Sequence, residues 1–128
     1  MQPAILIVDD EPHLLRLLVR VFEREGYPVL ASGDATRARE LIGDSATAIA
    51  ALVLDAGIAP VGADPVLARV LERRAPIGVV LVSGDHLAPE LAAWIASNGG
   101  RFLRKPFLPG ALVEAVRSVI DTPHPVTR

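Results

Sequence analysis

Ile5-Leu6-Ile7-Val8-Asp9-Asp10-Glu11-Pro12 changes character at its midpoint. The first half, with Ala4 ahead of it, is a short run of mostly branched apolar side chains, which reads as a strand buried on both faces. Carboxylates stop that run abruptly, and Asp10 followed by Pro12 reads as the cap and first turn of a helix. Past Pro12, Leu14, Leu15, Leu18, Val21 and Phe22 share one helical face, with Arg16, Arg20, Glu23 and Arg24 largely opposite. Gly26 ends the helix.

The same alternation recurs along the chain. Pro28–Ala31 is a weaker strand, followed by a Ser-Gly-Asp turn and a helix over roughly 35–42. After a loop at 43–47, Ile49–Leu54 is a second strongly apolar strand, closed by Asp55. A loop at 56–63 containing glycine and proline leads to Asp64-Pro65, another cap-plus-proline start, and a helix to about Arg74. Ile77–Val82 is a strand ending at Ser83-Gly84, and the helix over Pro89–Ser97 stops at Asn98-Gly99-Gly100. Arg101–Arg104 is a short strand before Lys105-Pro106, and Gly110–Ile120 is the last helix. Five strand–helix alternations predict an α/β domain with a parallel sheet between helical layers, and right-handed crossovers leave few topologies. Residues 1–121 read as one domain, and residues 122–128, proline-containing and without periodicity, as a flexible tail or the start of a linker.

Composition narrows the function. The chain has 128 residues, 51% of them hydrophobic and 22% charged, enough apolar material for one core and too much for a disordered polymer. Aromatic residues make up 4%, so aliphatic side chains must build that core. A net charge of −2 with no cluster of Lys and Arg disfavours direct nucleic-acid binding. The absence of cysteine excludes disulfides and thiolate metal sites. No apolar run approaches a membrane span and no basic leader precedes the first strand, so the default location is cytoplasmic. His13, His86 and His124 lack metal-ligand spacing and read as surface residues, although His86 follows Ser83 closely. Trp94 is expected to pack at the surface of the fourth helix.

Ligands of open parallel sheets bind beyond the carboxyl ends of the strands. Those ends carry Asp9 and Asp10, Asp55, Ser83 and Lys105. Converging carboxylates repel one another, and a hard divalent cation such as Mg²⁺ relieves that repulsion while keeping coordination sites for a phosphoryl oxygen. A carboxylate can attack phosphorus to give an acyl phosphate. A lysine ammonium and a serine hydroxyl suit the charge on the transferred oxygens. The set fits phosphoryl transfer to a carboxylate.

Four stretches, in this order, resemble the receiver domain of bacterial two-component response regulators: residues 5–12, Leu-Val-Leu-Asp at 52–55, Val-Leu-Val-Ser-Gly at 80–84, and Phe-Leu-Arg-Lys-Pro-Phe at 102–107. The resemblance spans Ala4 to Ile120. It implies a flavodoxin-like doubly wound sheet of five parallel strands in the order 2-1-3-4-5 with five helices. It implies Asp55 as phosphoacceptor, Asp10 as direct Mg²⁺ ligand, Asp9 as a ligand through water and the Gly57 carbonyl as the third protein ligand. Ser83 and Phe102 match the switch pair, Lys105 matches the phosphate-binding lysine, and a cis Lys105–Pro106 peptide is implied. The donor would be a sensor histidine kinase or a histidine phosphotransfer protein, the output a partner protein, and homodimerisation is compatible. The domain would be a phosphoryl-accepting switch rather than an enzyme with a separate substrate, catalysing only its own phosphorylation and dephosphorylation. With nothing resembling an output domain after Ile120, either a stand-alone receiver or a part of a longer regulator fits.

The chain departs from the family after Asp55, where Pro60 falls five residues on rather than four, so the loop is longer or shifted. Gly57 supplies no side chain beside the acceptor, and Gly84 and Gly100 stand where alanine is usual. A phosphate-independent interaction scaffold on the same fold is the rival reading. An aspartyl-nucleophile phosphatase would need an acid at position 57, and flavin binding would need a phosphate cradle where Asp9-Asp10-Glu11 stand.

Overall fold

The computed structural model describes residues 2–73 and 76–121. The elements follow in strict alternation: β1 (Ala4–Val8), α1 (Pro12–Arg24), β2 (Val29–Ser32), α2 (Ala35–Gly43), β3 (Ile49–Asp55), α3 (Asp64–Leu71), β4 (Gly78–Ser83), α4 (Pro89–Asn98), β5 (Arg101–Arg104) and α5 (Pro109–Asp121). All neighbouring strands pair in parallel, in the order β2-β1-β3-β4-β5. This is the flavodoxin-like sheet that the sequence predicts. The tail expected at 122–128, with His124, lies outside the described residues.

Side chains alternate across the three central strands because a pleated strand sends successive residues to opposite faces. Ile5, Ile7, Ala51, Val53, Val80 and Val82 face Leu18 and Phe22 of α1 and Leu112, Ala115, Val116 and Val119 of α5. Leu6, Val8, Leu52, Leu54, Val79 and Leu81 face Ala38 and Ile42 of α2 and Val66, Leu67 and Val70 of α3. Each such aliphatic side chain contributes about 1.5–3 kcal/mol when removed from water. The helix α4 differs from the others: none of its residues is buried. It rests on the second cluster through the partly buried Leu91, Trp94 and Ile95.

Several local expectations are corrected. Asp10 does not cap α1; the cap position is Glu11, extended at φ −90 and ψ 106, with no side-chain cap. Pro12 causes this, since a residue before proline is driven out of the helical region. Asp64 is the first residue of α3 rather than its cap, because Ala63 already has helical angles. That helix ends at Leu71, short of the expected Arg74, which lies outside the described residues. In contrast, Asp34 at the Ser-Gly-Asp turn does cap α2, its Oδ1 accepting the Arg37 N–H at 2.7 Å.

Two glycines have a steric reason. A Cβ on Gly78 would stand 2.6 Å from the Val119 carbonyl, so β4 and α5 approach only because that side chain is missing. A Cβ on Gly100 would meet Ile95 Cδ1 at 2.8 Å and the Val79 carbonyl at 3.0 Å, which accounts for glycine where alanine is usual. Nothing lies within 4 Å of a Cβ at Gly84, and the structure gives no reason for that replacement.

Candidate functional site

Parallel pairing brings distant residues to one edge. Val8 is level with Leu54, so Asp9 and Asp55 leave neighbouring strands together. Asp55 is level with Val82 and Ser83 with Arg104, which places Ser83 and Lys105 one step further out on the next strands. The Lys105 N–H donates to the Ser83 carbonyl at 2.8 Å and carries the β4–β5 ladder to the edge of the site.

Carboxylate oxygens of Asp9, Asp10 and Asp55 all lie within 4.8 Å of one another. Asp9 is 1% exposed, Asp10 is exposed and Asp55 is intermediate. Burial is the main influence on Asp9 and raises its pKa, against the opposing effects of the Glu11 N–H and of Lys105. The Asp9 Oδ1 accepts that Glu11 N–H at 2.9 Å. Its Oδ2 lies 2.9 Å from Lys105 Nζ, an ion pair, and no other protein group bonds it. A buried carboxylate oxygen with lone pairs to spare, beside two more carboxylates, is the donor set a hard cation takes. The residues fit Mg²⁺.

Lys105 Nζ stands 2.7 Å from Glu11 Oε2 and 3.5 Å from Asp55 Oδ2. Desolvation alone would lower the pKa of this ammonium, but its hydrogen bonds and the charges of Asp9 and Asp55 outweigh that and leave it raised. The lysine therefore stays charged. The Asp55 Oδ1 accepts the Gly57 N–H at 3.1 Å, and a Cβ on Gly57 would lie 3.9 Å from that oxygen, so position 57 borders the acceptor carboxylate. The loop after Asp55 is moored through two adjacent residues. Ile58 is fully buried, and the Ala59 carbonyl accepts the Ala35 N–H at the start of α2 at 2.8 Å.

The Ser83 Oγ accepts the Asp85 N–H at 3.1 Å, which leaves its own hydrogen free to donate. Phe102 is level with Leu81 and packs, half-buried, against the α2–α3 side of the sheet with Leu87, Leu91, Trp94 and Ile95. The Lys105–Pro106 peptide is cis, as the resemblance implies, and so is Ala59–Pro60, which it does not imply. His13 and His86 are exposed, and Trp94 is half-buried. Glu11 is the site residue that sequence reasoning leaves without a role. Its place between the metal-type aspartates and Pro12, which holds it extended, was the available signal.

An acidic cluster at the switch point of a doubly wound sheet, facing a charged lysine on the last strand, defines the class of phosphate-handling signalling domains. The description "Response regulator receiver domain" fits residues 5–117, and the chain belongs to that family. It is 30% identical over 121 residues to the transcriptional regulatory protein CpxR of Escherichia coli, covering 94% of this chain and 50% of that protein. It is 28% identical over 124 residues to the transcriptional regulatory protein AruR of Pseudomonas aeruginosa, with the same coverage. The chain thus spans about half the length of the curated relatives it matches. The crystal structure of a response regulator receiver protein from Sinorhizobium medicae superposes with a TM-score of 0.82 at 28% identity, covering 94% of this chain and 96% of that one. No helix among the described residues is long and apolar enough to cross a membrane.

Proposed function

We propose that this receiver domain takes a phosphoryl group on Asp55 from a phosphohistidine of a sensor histidine kinase or histidine phosphotransfer protein. The observation that carries the reading is the Lys105 ammonium, 2.9 Å from Asp9 and 3.5 Å from Asp55, at the edge of the three-carboxylate cluster. Asp9, Asp10 and Asp55, with the Gly57 carbonyl, would hold Mg²⁺, which when bound supplies positive charge to the carboxylates and to a phosphoryl oxygen. An Asp55 carboxylate oxygen forms a bond to phosphorus as the P–N bond of the donor breaks, and the imidazole leaves with the electron pair. With a small acyl phosphate the P–O bond breaks and the carboxylate leaves. Lys105 offers an N–H to the transferred oxygens, and Ser83 turns its free hydroxyl hydrogen toward them.

The new group brings a charge of about −2. Drawing Ser83 inward frees space beside β4 into which Phe102 can repack, shifting the population of arrangements on the face formed by α4, β5 and α5. A partner protein, or a second copy of the domain as a homodimer, reads that face in the cytoplasm. Hydrolysis of the acyl phosphate, with water admitted beside the bare Gly57, resets the switch.

Acetyl phosphate with Mg²⁺ tests the reading directly. The intact mass of the wild-type chain should rise by one phosphoryl group, and Asp55→Ala should show no gain. A wild-type chain that never gains mass would return the domain to a phosphate-independent scaffold.

A further inference from the structure

Glu11 holds the lysine that the proposed chemistry needs. Among the described residues, the 2.7 Å bond to Glu11 Oε2 is the shortest side-chain contact that Lys105 makes. Asp9 Oδ2 pairs with the ammonium at 2.9 Å, whereas Asp55 Oδ2 at 3.5 Å is beyond the 2.7–2.9 Å typical of a charge-assisted bond. An ammonium has three N–H donors. Glu11 at 2.7 Å and Asp9 at 2.9 Å take two, which leaves one for a phosphoryl oxygen arriving on Asp55, 3.5 Å away. The Glu11 backbone is fixed in turn, since its N–H bonds Asp9 Oδ1 at 2.9 Å and Pro12 keeps it extended. Acceptor, metal-type ligand and lysine are therefore linked through one residue that the family motif leaves without a part.

We infer that Glu11 is a positioning residue, whose carboxylate anchors the Lys105 ammonium so that its remaining donor can meet an oxygen transferred to Asp55. The inference rests on the phosphoacceptor reading of Asp55. The opposite possibility is a Glu11 that competes for the ammonium and must release it. Donor count argues against this, because the lysine can satisfy Glu11 and a phosphoryl oxygen at once. Glu11 is 60% exposed, so its pairing contributes little to stability and its replacement leaves the fold intact.

Phosphorylation by acetyl phosphate is measured for wild type, Glu11→Ala and Glu11→Gln, alongside thermal melts and NMR of ¹⁵N-lysine-labelled protein. Loss of one charge-assisted hydrogen bond should slow Glu11→Ala about tenfold. Glu11→Gln, whose amide oxygen still accepts from Nζ, should stay within about threefold of wild type by the same reckoning. Melting temperatures should agree among all three, and the slowly exchanging Lys105 ammonium signal of the wild type should vanish in Glu11→Ala and persist in Glu11→Gln. Variants as fast as wild type, or both slowed equally, would overturn the anchor. The ammonium signal requires no phosphoryl chemistry, so it decides the role of Glu11 even if Asp55 takes no phosphate. A wild type that fails to label counts against Asp55 alone.

Discussion

Asp9 is a carboxylate at 1% exposure that the fold keeps at the end of its first strand. Burial lifts its pKa above the ordinary 3.8, so the folded chain binds that proton more readily than the unfolded chain does. Its ionisation then costs stability at neutral pH, a cost that fades as the pH falls through the folded-state value and is absent below both values. Asp9→Asn should accordingly raise the melting temperature of the metal-free protein at pH 7. A gain of about 1 kcal/mol corresponds to roughly 3–5 °C for a domain of this size. The gain should close as the pH approaches 3.8, and calorimetry across that range checks it. Lys105 behaves in the other sense: its raised pKa means that its pairing stabilises fully below 10.5 and is lost only as the pH climbs through the raised value. Sequence reading singled out Asp9, Asp10, Asp55, Ser83 and Lys105 because each stands at the carboxyl end of a strand, a position that a parallel sheet turns into proximity. Glu11 escaped that logic, since it does not close a strand and its partner is 94 residues away.

At the scale of elements, patterning carried the order and type of all ten, while their ends depended on contacts that patterning does not encode. The stop of α3 is an example. Arg73, just past it, donates from Nη1 to the Ile42 and Asp44 carbonyls at 2.9 and 3.0 Å and from Nη2 to the Thr47 carbonyl at 2.8 Å. The guanidinium satisfies carbonyls that the end of α2 leaves open and ties α2 to the approach of β3. A sequence window shows only an arginine among charged neighbours. Arg73→Ala should lower unfolding free energy by about 2–3 kcal/mol through those lost bonds. Arg73→Lys should recover little, because a single ammonium cannot span carbonyls that two guanidinium nitrogens reach. Urea denaturation of the three proteins measures the difference. The loop after Asp55 gives a second example: the displaced proline was legible, but not the full burial of Ile58 or the Ala59 bond to the start of α2 that moor it.

Over the whole molecule, a cation held by the acidic cluster would couple its binding to folding. A ligand that binds only the folded chain stabilises it by about 2.7 kcal/mol at a hundredfold excess over its dissociation constant. Magnesium chloride should therefore raise the melting temperature of the wild type in a saturable way. Asp10→Asn, a change at an exposed side chain, should remove most of that rise with little effect on the metal-free melt. Differential scanning fluorimetry over a Mg²⁺ titration checks both. The helices are not equally committed to the fold. The helices α1, α2, α3 and α5 drive buried side chains into the sheet, whereas α4 buries none. The cheapest place for the architecture to yield is thus chosen before any signal arrives, and on the proposed function an added dianion would need only to tip a helix that was never bolted down.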